Sequence, residues 1–309
     1  NNPSSKFILA DIKELTFKQL NKIIELKRND DDLIFIGCSP CQHWTKINTN
    51  KIKSEATKNL LIDFKRFVEY YKPGHVVIEN VPGIQSNKAG SGLTNFLNFL
   101  DNNHYKYDYK IIDAFKYGVP QTRRRFLLVA SRIFKNITLP HTKKTDIPTV
   151  KNFIGTHNGF SKIKAGHIDN TTFLHSAAIL YEKNIKRIKK TPHNGGTRMA
   201  WKDDPELQIN AYKDKDHLFR DVYGRMWWDR PAPTITTRFN SLSNGRFGHP
   251  EEDRAISLRE GSTLQTFPKE YCFFGTSQAS IARQIGNAVP PELSKKIAKV
   301  FLERKEAEL

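Results

Sequence analysis

The chain is poor in the residues and patterns that mark disulfide-rich, membrane-spanning and exported proteins. Its 309 residues include three cysteines and two methionines, and no apolar run approaches the ~20 residues that a membrane-spanning helix needs. No secretory leader pattern stands at its start. These absences indicate a reducing, cytoplasmic compartment.

The cysteines give little support to a metal centre. Cys38 and Cys41 form a C-x-x-C pair, but Cys272 lies far along the chain and no spaced histidine pair accompanies it. A tetrahedral zinc site needs about four ligands, so we expect no metal. Thiol redox chemistry and a small buried cysteine stay open as alternatives to a reactive thiol.

The chain carries a large excess of positive charge. Its 50 lysines and arginines against 32 acidic residues give a formal charge of +18. Such an excess favours a polyanionic partner, and nucleic acid is the first candidate. A membrane surface is the competing partner, but the basic residues are dispersed along the chain. Charge alone does not distinguish DNA from RNA.

Apolar patterning predicts an α/β fold. Short apolar runs bounded by turn residues alternate with segments of helical periodicity. Strands are predicted at residues 6–10, 33–36, 76–78, 105–112 and 125–130, and helices at 16–27, from 54 to 72 and at 93–100. This alternation is typical of a doubly wound, mostly parallel sheet. After Pro140 the periodicity weakens, which predicts a domain boundary there; helices are expected at 174–190 and 291–308.

Two predicted strands end in residues suited to chemistry. Pro40 and Cys41 follow the second strand, and Glu79 follows the third. Open α/β sheets place their ligands at the carboxyl ends of their strands. Cys41 is therefore the candidate nucleophile.

Four segments in order resemble the signature blocks of the cytosine-5 DNA methyltransferases, and the resemblance covers nearly the whole chain. The segments are Pro40-Cys41-Gln42, Val77-Ile78-Glu79-Asn80-Val81, Gln121-Thr122-Arg123-Arg124-Arg125 and Gln284-Ile285-Gly286-Asn287-Ala288-Val289-Pro290-Pro291. The resemblance implies a Rossmann-like, S-adenosylmethionine-dependent domain at 1–140 plus 282–309. It also implies an inserted, smaller target-recognition domain at 141–281.

The resemblance assigns a covalent mechanism to these residues. A thiolate at Cys41 adds to carbon 6 of a cytosine flipped out of duplex DNA, and a protonated Glu79 hydrogen-bonds ring nitrogen 3. Arg123 and Arg125 are expected to orient Glu79 and hold the nucleotide, while Arg124 faces outward. The expected activity is that of a DNA (cytosine-5-)-methyltransferase in bacterial restriction-modification, in a cytoplasmic, nucleoid-associated protein.

Further residues are expected to bind the cofactor and the DNA. By resemblance, the cofactor S-adenosylmethionine is held by Asp11, Ile12, Pro40, Leu60, Asn287 and Val289. The expected DNA contacts are Gln42, Gln121, Arg238 and Arg246. The last two arginines accompany an extended segment at 231–237 and a glycine-rich turn at 244–248, and such loops suit base and phosphate contacts.

One family feature is missing from the sequence. No strand with a Phe-x-Gly-x-Gly loop precedes Asp11, and no acidic residue follows such a loop to hold the ribose. We expect a complementing N-terminal segment or chain to carry that loop. The alternative function is a non-catalytic DNA-binding or partner subunit of a split methyltransferase; a relative that acts on transfer RNA is a third reading.

Overall fold

The computed structural model describes residues 4–38, 60–86, 90–142, 146–213 and 215–308. Its helices are α1 (Phe17–Ile23), α2 (Leu60–Tyr71), α3 (Gly83–Ser86), α4 (Leu93–Asn102), α5 (Glu182–Lys190), α6 (Leu258–Leu264), α7 (Gln278–Asn287) and α8 (Pro291–Glu308). Its strands are β1 (Ile34–Gly37), β2 (His75–Asn80), β3 (Lys106–Asp113) and β4 (Arg124–Ser131). No helix in this part of the chain is long and apolar enough to span a membrane.

By its contacts the chain divides into two compact units. The sheet unit comprises Asn2–Asp113, Arg124–His141 and Lys296–Leu309, and the loop unit comprises Asn1, Ala114–Arg123 and Thr142–Lys295. The division after His141 lies next to the expected boundary, whereas residues 282–295 belong to the loop unit. The assignment of a cofactor domain and a target-recognition domain to these units stays a prediction.

The strands form one mixed sheet in the order β1-β2-β4-β3. β1 runs parallel to β2, whereas β4 runs antiparallel to both β2 and β3. The α/β class is confirmed, but the described strands are not mostly parallel. Residues 114–123, which join β3 to β4, are too few for the helical crossover that a parallel pair needs, so these two strands pair antiparallel.

Two amphipathic helices cover the sheet. Leu61, Phe64 and Val68 recur at helical spacing along α2, and Phe96 and Leu100 do the same along α4. All five side chains are buried in one apolar cluster with the inward residues of β2 and β4. The helix periodicity read from the sequence therefore identifies the core of the sheet unit.

Two predicted elements differ in the structure. Residues 5–10 form no strand, and Phe7 and Leu9 are 89 % and 90 % exposed, because no described strand lies beside them to complete a hydrogen-bond ladder. The helix expected at 174–190 begins only at Glu182. Leu174 has a left-handed φ of 57°, and Asp169 accepts hydrogen bonds from backbone N–H groups there, which favours a turn over a helix.

The loop unit has a core with little regular structure around it. Ile256, Leu258 and Leu264, before and on α6, pack with Ile281 and Ile285 of α7 in one buried apolar cluster. This packing is the reason why α7 belongs to the loop unit.

Buried arginines donate hydrogen bonds to backbone carbonyl oxygens of irregular segments in this unit. Arg225 donates to the carbonyl oxygens of Thr191 at 2.9 Å, Glu252 at 2.7 Å and Ile188 at 2.8 Å. Arg259 is buried in the same way and donates to further carbonyls. Five N–H donors let one guanidinium satisfy several irregular backbone segments at once.

Candidate active site

Glu79 and Arg125 form a largely buried ion pair at one end of the sheet. Glu79 stands in register with Leu127 of β4, and Arg125 lies two residues before Leu127, so its side chain leaves the same face of the sheet. The Nε atom of Arg125 lies 2.9 Å from Oε1 of Glu79, and the two side chains are 16 % and 12 % exposed. Strand alternation thus brings the predicted acid and its expected arginine partner together.

The negative charge of Glu79 favours the charged form of Arg125. Burial lowers the pKa of Arg125, and the negative charge of Glu79 opposes that shift. Oε1 of Glu79 is buried and has no well-aligned hydrogen-bond partner among the described residues, so the contact with Arg125 is electrostatic.

Cys38 lies beside Glu79 because β1 and β2 are parallel and Gly37 pairs with Ile78. Part of Cys38 is exposed, yet burial around its thiol and the nearby charge of Glu79 raise its pKa to about 11. Cys38 is therefore a neutral thiol near pH 7 and a poor nucleophile. The predicted residues Pro40, Cys41 and Gln42 lie outside the described residues.

Two residues next to this pair are also in place: Arg124 points outward, and Asn80 orders the turn after β2. Arg124 points away from Glu79, is 65 % exposed and lies 3.5 Å from Asp113, which confirms its predicted outward position. The Asn80 side chain accepts a hydrogen bond from the Val81 backbone at 2.7 Å. That bond fixes the turn after β2.

Arg123 belongs to the loop unit and is 2 % exposed. Its guanidinium donates to the carbonyl oxygens of Ile235 at 3.1 Å, Ala288 at 3.1 Å and Gly286 at 3.3 Å. These bonds hold the end of α7 to the segment around Ile235. Arg123 thus has a positioning role within its unit, and its expected contact with Glu79 or a nucleotide stays a prediction.

Gln121 is fully buried and uses its whole amide group within the protein. Its Nε2 atom donates to the carbonyl oxygen of Leu264 at 3.0 Å and to Gln265 at 2.7 Å, while its Oε1 atom accepts from the Ile235 backbone at 3.2 Å. A DNA contact would break these bonds. We therefore replace the expected DNA contact of Gln121 with a positioning role.

The arginines expected to bind DNA differ in the same way. Arg246 is buried, with Nε 2.8 Å from Asp221 and Nη1 donating to the carbonyl oxygens of Gly195 at 2.8 Å and Arg225 at 3.0 Å. It fixes the glycine-rich turn from inside, so its expected DNA contact is not supported. Arg238 is exposed, and its DNA contact stays a prediction.

The expected cofactor residues are divided between the units. Asp11, Ile12 and Leu60 lie in the sheet unit, where Asp11 is exposed and Ile12 is half-buried. Arg66 of α2 donates to the carbonyl oxygens of Ile12 and of Leu15, which ties the segment after Asp11 to the helix that begins at Leu60. The other two, exposed Asn287 and half-buried Val289, lie in the loop unit.

A family model for C-5 cytosine-specific DNA methylases matches residues 1–303. The chain belongs to this family. It is 37 % identical over 305 residues to the type II methylase M.HgiDII of Herpetosiphon aurantiacus, across 96 % of this chain and 83 % of the relative. It is 32 % identical over 271 residues to the type II methyltransferase M1.BsuMI of Bacillus subtilis, across 85 % of this chain and 59 % of the relative.

Solved structures agree on the fold of this methylase. A DNA modification methyltransferase encoded within an Escherichia coli prophage matches with a TM-score of 0.69 at 19 % identity, over 96 % of this chain and 85 % of the other. The Dnmt2 methyltransferase of S. pombe matches with a TM-score of 0.57 at 14 % identity, over 96 % and 83 %. The methylase therefore has the α/β methyltransferase fold. The family model and the two relatives show that it is a DNA (cytosine-5-)-methyltransferase.

Sequence reasoning missed a charged network in the loop unit of the methylase. Arg254 donates from Nη1 to Oε2 of Glu260 at 2.7 Å and from Nη2 to Oε1 at 2.8 Å, and both side chains are fully buried. Arg254 also bonds Glu252, which lies 3.4 Å from the His249 ring. The sequence shows charged residues at both ends of the segment 254–260, but no local pattern predicts that these two pair and are buried.

This network has the residue types of a metal site but not its chemistry. One ligand atom each from His249, Glu252 and Glu260 lies within 4.8 Å of the others. The backbone N–H groups of Glu251 and Glu252 donate to Nδ1 of His249 at 3.3 and 3.0 Å, so the ring proton resides on Nε2, which faces the carboxylates. A metal could bind Nε2 only by displacing its proton, and Arg254 already forms ion pairs with both acids.

Proposed function

We propose that the chain methylates carbon 5 of a flipped cytosine in a specific duplex DNA site, as the modification enzyme of a type II restriction-modification system. The observation that carries the chemistry is the buried Glu79–Arg125 pair at the carboxyl end of β2. β1 ends beside it, and Cys41 follows Cys38 by three residues in the sequence. The type II assignment rests on the names of the two relatives reported above.

Cys41 starts the reaction as a thiolate. Its sulfur forms a bond to carbon 6 of the cytosine, and the electrons of the carbon 5–carbon 6 double bond move into the ring, which makes carbon 5 nucleophilic. After carbon 5 gains its methyl group, its proton leaves to a base. The carbon 6–sulfur bond then breaks, the double bond returns and the thiolate is regenerated.

Glu79 stabilises the charge that this addition creates. Glu79 shares a proton with ring nitrogen 3 in a hydrogen bond, which disperses the negative charge that accumulates there. Arg125 holds the carboxyl group from the side, because its Nε lies 2.9 Å from Oε1 and the pair is largely screened from water. The geometry therefore fixes the acid before the base arrives, which lowers the reorganisation that the reaction requires.

S-adenosylmethionine is the proposed methyl donor, and when bound it supplies an electrophilic methyl group. The residues of the sheet unit fit its adenine ring in type, because Asp11 offers an exposed carboxylate to an amino group while Ile12 and Leu60 offer apolar side chains. Asn287 and Val289 are proposed for its methionine side. A complementing segment or chain with the glycine-rich loop stays a prediction.

Duplex DNA that carries 5-fluorocytosine tests this function, because fluorine at carbon 5 cannot leave as a proton and the enzyme stays attached. We expect a covalent adduct that survives denaturing electrophoresis and maps to Cys41. Cys38→Ser is the matched control and should form the adduct, whereas Cys41→Ser should form none while still binding duplex DNA. An adduct at another residue, or near-normal turnover by Cys41→Ser, would contradict the mechanism.

A further inference from the structure

Two arginines of the loop unit lie over one tryptophan ring. The guanidinium carbon of Arg246 is 4.0 Å from the ring centroid of Trp227, and that of Arg230 is 4.6 Å away. Arg246 is buried and pairs at 2.8 Å with the exposed carboxylate of Asp221, which balances its charge. Arg230 is exposed, and its position calls for a different explanation.

The platform under Arg230 is rigid. Gly195 packs so tightly on Trp227 that a Cβ atom there would lie 1.9 Å from the indole Nε1 atom, and its φ of 99° favours glycine. The backbone that follows Trp227 is also fixed, because Trp228 N–H donates to the Asn194 side chain at 2.8 Å and Val150 N–H donates to the Arg230 carbonyl oxygen at 2.9 Å. Trp227 therefore presents a fixed surface on which Arg230 rests.

The guanidinium of Arg230 lacks an acceptor in the part of the chain that the structure describes. No described carboxylate forms a salt bridge with it, and no described acceptor takes a hydrogen bond from its side chain. Contact with the ring explains where the side chain lies but leaves its N–H donors unused, since they point outward in the guanidinium plane. The nearby Arg246 adds positive charge, and its own salt bridge with Asp221 occupies that carboxylate.

We propose that Arg230 is a DNA contact of this methylase, held ready on Trp227 to receive two acceptor atoms of the duplex. The proposal rests on the proposed function. A stacked guanidinium loses little further side-chain freedom on binding, and its planar fork matches a pair of phosphate oxygens or the O6 and N7 atoms of guanine. Arg246 was expected to contact DNA, but its guanidinium is bonded to carbonyl oxygens within the protein. Arg230 therefore supplies the positive charge that was expected from Arg246.

Binding of duplex DNA by Arg230→Met tests the proposal, with Arg220→Met as the matched control. Arg220 is an exposed arginine of the same unit whose Nε donates to the Asp216 carbonyl oxygen, so its removal changes the net charge by the same amount. We expect Arg230→Met to weaken binding roughly tenfold. Arg220→Met should change it by less than about twofold. Equal affinities of the two variants would overturn the proposal.

Salt dependence separates the two acceptor sources. Loss of a phosphate contact should lower the log–log salt slope by about 1, whereas loss of a guanine contact should leave the slope unchanged and reduce the preference for the methylated site over random duplex. Arg230→Lys keeps the charge but not the planar fork, so it should recover only part of the affinity; full recovery would overturn the stacked geometry as the cause. A wild-type protein that binds no duplex would instead refute the proposed function itself.

Discussion

Replacement of Arg125 by methionine should damage both the stability and the turnover of the methylase, because it leaves Glu79 buried without its cation. Glu79 is 12 % exposed and 2.9 Å from Arg125. Removal of one partner from a buried pair typically costs about 3–5 kcal/mol, and the remaining exposure places this pair near the lower end, at about 3 kcal/mol. Arg124→Met is the control on the same strand; its pair with Asp113 is 3.5 Å apart and mostly exposed, so the expected loss is about 0–1 kcal/mol.

Urea unfolding of the wild type and both variants measures these losses. Because methionine replaces a long side chain with an apolar one of similar reach, the difference between the variants reports the charge rather than the packing. Single-turnover methyl transfer should fall by roughly a hundredfold in Arg125→Met, since Glu79 is no longer held, and little in Arg124→Met. If the two variants lose the same stability and the same rate, the Glu79–Arg125 pair does not hold the catalytic acid and the reasoning fails.

Three further predictions address other parts of the structure. Burial alone would raise the pKa of Glu260, but the charge of Arg254 outweighs burial and lowers that pKa to about 2. The pair should therefore stabilise the fold fully above the ordinary glutamate pKa. The free energy of unfolding should decrease by about 3 kcal/mol as the pH falls towards 2. Urea unfolding across this range should show that loss, and an unchanged pH slope in Glu260→Gln would contradict it. Cys38, with its pKa raised to about 11, should react with iodoacetamide roughly a hundredfold more slowly than a free cysteine near pH 8, as peptide mass spectrometry can measure; rapid labelling would show that its thiol is not neutral. Gly195→Ala should lower the melting temperature because its methyl group collides with Trp227, and an unchanged melting temperature would refute the tight contact.

The helices and buried faces of the sheet unit are predictable from sequence because their information is local, whereas the strand at 6–10 and the direction of β4 were predicted wrongly. The helical spacing of Phe64 and Val68 on α2 identifies the buried face of that helix. Thr16 and Gln19 are spaced as in a capping box, and they form its reciprocal bonds at the start of α1. The alternation along β4 places Arg125 on the face of Glu79 and Arg124 on the other. Period-two and period-3.6 patterns carry this information directly.

The loop unit is less predictable because its polar residues satisfy distant backbone groups. Gln121 and Arg246 are of residue types that commonly contact DNA, yet each is buried and bonded to segments far along the chain. No local pattern shows which carbonyl oxygens an irregular fold leaves without a strand or helix partner. The Arg254–Glu260 pair was missed for a different reason: the sequence does not show that two charged side chains of one short segment are both buried.

Identification of the methylated base tests the proposed reaction most directly. The purified protein is incubated with duplex DNA of random sequence and S-adenosylmethionine labelled with tritium in its methyl group, and the DNA is then digested to nucleosides and separated. We expect the label to appear as 5-methyl-2′-deoxycytidine and expect Cys41→Ser to abolish it. Label on the exocyclic nitrogen of cytosine or adenine would contradict the account, because neither product needs a thiolate at carbon 6.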